Sequence, residues 1–489
     1  MVPTPPGGYS GYLARAASRW PERVGLHFEG RKWTYRELND AADVAARRLS
    51  ADGIAEGTRV LLLVENCPEY VIAQFALARL GAVFVTPNPS WTDSEIVHAI
   101  RASAATAAIH TPRFAEVAVT LRHAVPVEKL IDGDAPEALE YGAVDHAAPL
   151  YIPFSSGTTG LSKGVVHTGA SLCGGVEQLR HHLRLSEADR LQIALPLCHI
   201  FGATMTAAAM SVGAEVTLFR RFDLEESLRH LKDAAVTVWP MAGTIAHRLV
   251  ERDDLDPDDF ASLRFFMWGG SAIPVELARE LSARTGVGVL CSYGMTEAMM
   301  VAFNPVDQPD QWRLDSPGCA TEGTELRIGA AGELEVRGPS VAAGYAGVPS
   351  TAFSDDGWFR TGDLARIDSD GRVTIVDRIK DMLKVSGFQV APVEVEQALV
   401  VHPGVSEAAV VGRPDVRRGE IVVAFVVRSD PELTGEALDS WLRTRLASYK
   451  RPGEYLFLDQ LPRTAGGKMR RGVLREQVNP ARRDQPNRS

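Results

Sequence analysis

Cysteine is scarce and unpaired in this chain: five residues (Cys67, Cys173, Cys198, Cys291, Cys319), with no CxxC pair and no metal-ligand spacing. That excludes a disulfide scaffold and a cysteine zinc site, and the odd count suits a reducing, cytoplasmic setting. Positive charge is short as well. Against 62 Asp and Glu stand 52 Lys and Arg, a formal net charge of −10, so nucleic acid is not an expected partner. Arginines near the C-terminus, Arg470, Arg471, Arg475, Arg482, Arg483 and Arg488, read as solvated groups of a polar tail. Long apolar runs are missing too. The most apolar stretch, residues 203–214, is rich in small residues, is followed by Glu215 and reads as a buried helix, so no stable membrane insertion is expected. The N-terminus, MVPTPPGGYSGYLARAASRW, lacks the apolar core of a signal peptide. Two nucleotide signatures are absent: GxGxxG does not occur, and Ser162 stands where Walker A requires glycine before the lysine.

What is present is an ordinary globular composition, 45% apolar and 23% charged, in 489 residues, a length that implies more than one domain. Helical spacing over residues 33–50, an apolar run at 59–64, a helix at 68–80 and a strand at 82–86 open a βα alternation. It recurs at 236–239, 265–267 and 288–291. Such repeats predict an α/β class, with parallel-rich sheets flanked by helices. Past residue 320 short strands take over, at 325–328, 333–336, 364–368 and 372–376. Beyond Lys380 the pattern is compact α+β: a helix at 393–400, strands at 405–412 and 420–427, and a helix at 434–446. The expected division is a large domain over 1–378 that ends in a small β subdomain, a small mobile α+β domain over 379–477, and a polar tail over 478–489.

The chemistry begins at Tyr151-Ile152-Pro153-Phe154-Ser155-Ser156-Gly157-Thr158-Thr159-Gly160-Leu161-Ser162-Lys163-Gly164, an apolar strand that runs into hydroxyls, glycines and a lysine. Glycines let backbone N–H groups approach an anion, hydroxyls donate further bonds, and the lysine adds charge, so the loop suits a polyphosphate. It resembles the signature of the adenylate-forming superfamily, which includes acyl-CoA synthetases, firefly luciferase and peptide-synthetase adenylation domains. Ser162 replaces the usual proline, which would only stiffen the turn.

Four further segments extend the resemblance to nearly the whole chain. In Tyr293-Gly294-Met295-Thr296-Glu297 it implies a tyrosine stacked on adenine, a threonine at the α-phosphate and a glutamate on Mg²⁺. Asp363, in Thr361-Gly362-Asp363, and Arg378 resemble a ribose clamp. Lys380 occupies the family's hinge position. Lys384, Ser386, Gly387 and Gln389 match the loop that the small domain brings to the site in its second state; Ser386 and Gly387 would lie along a pantetheine tunnel. Within Leu461–Arg471, Lys468 resembles the lysine that touches the carboxylate and α-phosphate during adenylation, where it stabilises gathering negative charge.

The acyl pocket is expected around His199, in Leu195-Pro196-Leu197-Cys198-His199-Ile200-Phe201-Gly202. Ile200 offers no counter-ion for an α-ammonium, which points away from amino acids. Trp239, Trp268, Gly269, Gly270, Ser271 and Ser292 are the other expected walls, with Trp268 and Ser292 shrinking the cavity; Ser271 also belongs to the nucleotide side.

The resemblance implies an ATP- and Mg²⁺-dependent carboxylic acid:CoA ligase. It would form acyl-AMP and pyrophosphate, then acyl-CoA after rotation about Lys380. The expected partners are a small carboxylic acid and CoA, or an acyl carrier protein, for a monomer or homodimer. Transfer to an amine or another nucleophile, a luciferase-like oxygenase and a nucleotide-binding scaffold are the rival readings. Lys468, Glu297 and Asp363, whose loss would mark the scaffold, are all present.

Overall fold

The computed structural model describes residues 7–132, 137–155, 162–270, 274–386, 388–463 and 469–479. Two compact units divide the chain: Met1–Ile273, Leu277–Leu326 and Val336–Phe359 form the first, and Pro274–Glu276, Arg327–Glu335 and Arg360–Ser489 the second.

The first unit is built on two sheets. One runs in the order Gly344–Tyr345, Lys163–Thr168, Pro149–Ser155, Val83–Thr86, Arg59–Leu63, Ala107–His110 and His123–Pro126. Its last five strands are parallel, and the first two are antiparallel additions. Short apolar runs such as Val60–Leu63 are buried on both faces, as a helix-covered parallel sheet demands. Pro68–Arg79 supplies one such helix, with Pro68 at its first turn, where a missing N–H costs nothing.

In the other sheet Val289–Met295, Phe265–Trp268, Val238–Met241, Arg190–Ile193, Glu215–Leu218 and Val24–Phe28 run parallel. Ala298–Phe303 and Arg31–Thr34 pair antiparallel at the two ends of this parallel run, and Gly318–Ala320 pairs antiparallel with the former. Alternate residues of these strands enter different cores. Val238, Phe265, Met267 and Leu290 pack with Met205 and Ile200 of the helix Ile200–Ser211. Trp239, Phe266, Trp268, Val289 and Cys291 pack instead with Ile245, Leu249, Ala278 and Leu281.

The second unit opens with the antiparallel hairpin Phe359–Ile367 and Arg372–Arg378. After it come Leu383–Val385 and Phe388–Val390, then the long pair Val405–Asp415 and Gly419–Arg428, with Glu454–Leu458 parallel beside the latter. The helices Pro392–Val400 and Gly435–Leu442 cover one face, and Arg471–Val478 covers the other through Leu474 and Val478.

Several expectations shift. The strand placed at 236–239 spans Val238–Met241, and the helix placed at 434–446 ends at Leu442. The strands placed at 364–368 and 372–376 are Phe359–Ile367 and Arg372–Arg378. The contact division also falls upstream of residue 378. Residues 360–367 pair with the 372–378 strand and therefore belong with it.

Candidate active site

In the first unit, Ser155 and Lys163 are register partners that close the base of the expected phosphate loop. Ser156, Gly157, Thr158, Thr159 and Gly160 lie outside the described residues, as do Ser271, Gly387 and Lys468. The strand leaving the loop carries His167, whose side chain has no solvent exposure. Its Nε2–H donates to the Thr296 carbonyl at 2.7 Å, and Nδ1 lies 3.2 Å from the Ser171 hydroxyl. Burial pushes its pKa down to about 4, so the ring is neutral at pH 7. The strand behind the phosphate loop is thus bonded to the backbone that presents Thr296.

Thr296 and Glu297 occupy a two-residue turn, since Met295 pairs directly with Ala298. Gly294 is needed beside it: a Cβ there would lie 2.0 Å from the Met299 carbonyl oxygen. Tyr293 is half-buried on the same strand, opposite Ala302. Glu297 accepts a hydrogen bond from the Tyr345 hydroxyl at 3.0 Å, and the Lys163 ammonium lies 4.9 Å from the centroid of that tyrosine ring. The structure therefore gathers Lys163, Thr296 and Glu297, and adds Tyr345 to them.

The acyl wall departs from expectation. His199 caps the helix Ile200–Ser211, its Nδ1 accepting from the Phe201 amide at 3.3 Å. That bond leaves the ring hydrogen of the neutral form on Nε2. The adjacent Cys198 thiol is buried, which pushes its pKa up to about 12 and keeps it protonated and unreactive.

Trp239 and Trp268, expected as pocket walls, are placed in core packing. Both are fully buried in the core facing Ile245 and Leu281, because they sit on the other parity of their strands. Ile200 also departs from expectation, being 4% exposed and packed in the opposite core. Gly269 and Ser292 do meet: a Cβ on Gly269 would lie 3.1 Å from the Ser292 hydroxyl and 3.4 Å from the Phe201 ring. Ser292 donates to the Trp268 carbonyl at 3.0 Å. Phe201, not among the expected walls, thus sits beside Gly269, and its place two residues after His199 was the available signal. Gly270 is exposed, with φ of 77° and, among the described residues other than its chain neighbours, no atom within 4 Å of its Cβ position.

In the second unit, Asp363 and Arg378 face each other in the hairpin register, with Nε 2.6 Å from Oδ1. Asp377, next along, accepts from the Val393 amide at 3.0 Å, satisfying a donor at the start of Pro392–Val400. Desolvation nonetheless raises the Asp377 pKa. Lys380 is exposed, and its neighbour Asp381 is bonded to Arg475 at 2.6 Å. Lys384 and Gln389 are register partners, both exposed. Ser386, at the turn between their strands, holds the left-handed φ of 51° while its amide donates to the Arg418 carbonyl.

The segment bearing Lys468 has a closed base. Arg463 and Met469 form a β-bridge, and the Arg470 amide donates to the Pro462 carbonyl. Arg463 is also paired with Glu407, and Arg471, expected to be a solvated tail group, is held by the half-buried Glu396 at 2.6 Å. Burial raises the Glu396 pKa, opposed by the arginine beside it.

Among the described residues no cluster of three or more His, Cys, Asp or Glu could hold a metal alone. Glu297, with its hard oxygens beside Thr296 and Lys163, fits the usual mode for Mg²⁺, one carboxylate completed by nucleotide phosphates. No helix among the described residues is long and apolar enough to cross a membrane.

Residues 13–346 match the family model described as AMP-binding enzyme, and residues 394–468 match the AMP-binding enzyme C-terminal domain. A feruloyl-CoA synthase from Amycolatopsis sp is 34% identical, with 96% of this chain and 98% of the relative covered. A 4-coumarate–CoA ligase from Oryza sativa subsp. japonica is 32% identical, with 92% and 88% covered. The crystal structure of ATP-bound MatB from Rhodopseudomonas palustris superposes with a TM-score of 0.90 at 30% identity, covering 96% of this chain and 98% of that one. The o-succinylbenzoate CoA synthetase of Bacillus subtilis, with ATP and magnesium, gives 0.85 at 30% identity, with 96% and 98% covered. The chain belongs to the AMP-binding enzyme family, in the acyl-CoA synthetase-like part of the adenylate-forming superfamily.

Proposed function

We propose that this adenylate-forming enzyme activates a compact, apolar carboxylic acid, aromatic in the first instance. The reaction class itself follows from the family: it is an ATP-dependent, AMP-forming acid:CoA ligase. The carboxylate displaces pyrophosphate from ATP, and the CoA thiol then displaces AMP from the acyl-AMP.

The observation that carries the acid assignment is the meeting of Phe201, Gly269 and Ser292 beside His199. An aromatic face, an absent side chain and a hydroxyl already donated to the Trp268 carbonyl make a wall with little polar demand. His199 orients the carboxylate through Nε2–H. Lys163 and Thr296 take nucleotide phosphate oxygens, Tyr293 the adenine, and Asp363 with Arg378 the ribose. Mg²⁺, held by Glu297, would supply charge neutralisation on the phosphates. Lys468 stabilises charge gathering in the adenylation step, Lys380 is the hinge of a functional boundary at 378–379, and Ser386 and Gly387 line the path of the thiol. Relatives named for coumarate, ferulate and indoleacetate favour the aromatic choice. A cytoplasmic location and a monomeric or homodimeric state complete the proposal.

The test is pyrophosphate release across a panel of aromatic, short-chain, long-chain and α-amino acids, with and without CoA. Preference for a compact aromatic acid with CoA-stimulated turnover is expected. Preference for amino or long-chain acids would overturn the acid assignment. Release without CoA stimulation, combined with transfer to a carrier protein, would redirect the acceptor.

A further inference from the structure

We propose that Tyr345 is a positioning residue for adenylation, holding the Glu297 carboxylate and the Lys163 ammonium in separate, oriented places before the nucleotide arrives. The inference rests on the reading of Glu297 as the metal carboxylate and Lys163 as a phosphate lysine.

One phenol touches both groups: its hydroxyl donates to Glu297 Oε1 at 3.0 Å, and its ring lies under Lys163, 4.9 Å from the ammonium. The backbone fixes that phenol firmly. Gly344–Tyr345 pairs antiparallel with the strand that begins at Lys163, with Tyr345 opposite Val165. The Ala343 and Ala346 amides donate to the carbonyls of Val166 and Gly164, each at 2.8 Å. On the side of Glu297, the Ala342 amide donates to the Glu297 carbonyl at 2.8 Å, and Ala298 bridges to Val341. Phe353 packs edge-on against the ring at 5.4 Å.

The physical need is plain. A lysine and a glutamate on facing segments attract each other, and a direct ion pair would have to break before either could serve phosphate or metal. A phenol offers each a weaker alternative than an ion pair: a hydrogen bond from an uncharged donor to the carboxylate and a ring face to the ammonium. Tyr345 therefore acts through Glu297 on the metal side and through Lys163 on the phosphate side.

Tyr345→Phe keeps the ring over Lys163 and removes only the hydroxyl, while Tyr345→Leu removes both contacts. Pyrophosphate exchange would be titrated with Mg²⁺ at saturating ATP and acid. Calorimetry with a non-hydrolysable ATP analogue, with and without Mg²⁺, gives a readout independent of turnover. Tyr345→Phe should raise the half-saturating Mg²⁺ roughly tenfold, leaving metal-free nucleotide affinity and the KM for the acid unchanged. Tyr345→Leu should weaken nucleotide binding with and without metal. A Tyr345→Phe protein with wild-type Mg²⁺ dependence, while Glu297→Gln shifts it, overturns the proposal. Unshifted dependence in Glu297→Gln would instead sink the reading of Glu297 on which it stands. Because Tyr345→Phe is nearly isosteric, the decisive arm does not depend on tolerance of a larger change.

Discussion

Asp363 and Arg378 meet across a two-stranded hairpin, the aspartate 2% exposed and the arginine side chain 42% exposed. A buried acceptor held by a half-solvated donor suits binding more than structural support. The carboxylate is dry and oriented, and the cost of desolvating it makes the pair weak evidence for a stabilising role. Asp363→Asn should therefore raise the KM for ATP about a hundredfold, as expected for loss of charged acceptance from two hydroxyls, with the KM for the acid unchanged. Steady-state kinetics with each substrate varied separately checks this, and an equal rise in both constants would count against a ribose role.

The tryptophan that looks like a pocket wall should behave as core. Trp268→Ala is expected to cost on the order of 3–5 kcal/mol in unfolding free energy while leaving the ranking of acids unchanged. Ser292→Gly and Phe201→Ala should instead extend activity toward bulkier acids, with a roughly fourfold gain in kcat/KM for each added methylene that fits. Profiles over a homologous acid series for the three variants decide the matter; a shift in Trp268→Ala alone would reverse the assignment.

His167 gives the fold a pH signature. Its folded pKa of about 4 lies below the unfolded value of about 6.5, so between those limits the unfolded chain binds more protons than the native one. Its contribution is fully present above pH 6.5 and is lost as pH falls toward 4, by roughly 3 kcal/mol in all. Denaturant titrations at pH 7.5 and 5 should show the wild type losing more stability than His167→Gln. Equal losses would mean another group dominates.

The two half-reactions should separate by residue. Lys468→Ala should abolish acyl-AMP formation, at least ~10²–10³-fold, yet largely spare thioester formation from supplied acyl-AMP. Gly387→Leu should do the reverse, since a branched side chain fills a path that glycine leaves open. Single-turnover assays of each step test both, and parallel losses in a folded protein would refute the division of labour.

Much of this was legible in the chain. Ser155, Lys163, Thr296, Glu297, Asp363 and Arg378 fall in short, sharply spaced motifs that sit where turns and hairpin registers hold them. What failed was facing. Phe265–Trp268 is apolar throughout and buried on both sides, so no alternation reveals which residues look toward Phe201 and which toward Ile245. Tyr345 escaped notice for a different reason. Its role arises from a pairing with Lys163–Thr168, a strand far away in sequence, and no local pattern encodes that neighbour. The end of the Gly435–Leu442 helix was blurred because Leu446, four residues past Leu442, keeps the helical spacing and packs on the same core.

The bridge from Arg463 to Met469, reinforced by Arg463–Glu407 and Arg471–Glu396, makes the span of residues 464–468 a matter of exact chain length rather than sequence. With both flanks fixed, the number of residues between them bounds how far Lys468 can reach. The same fixity sets a ruler. Each inserted residue would lengthen the contour by up to ~3.5 Å, more than the tolerance of a charge contact, whereas substitutions around the lysine leave the reach untouched. The loop should therefore accept varied residues at constant length, and lose its chemistry with a single insertion or deletion that leaves the surrounding domain fully folded.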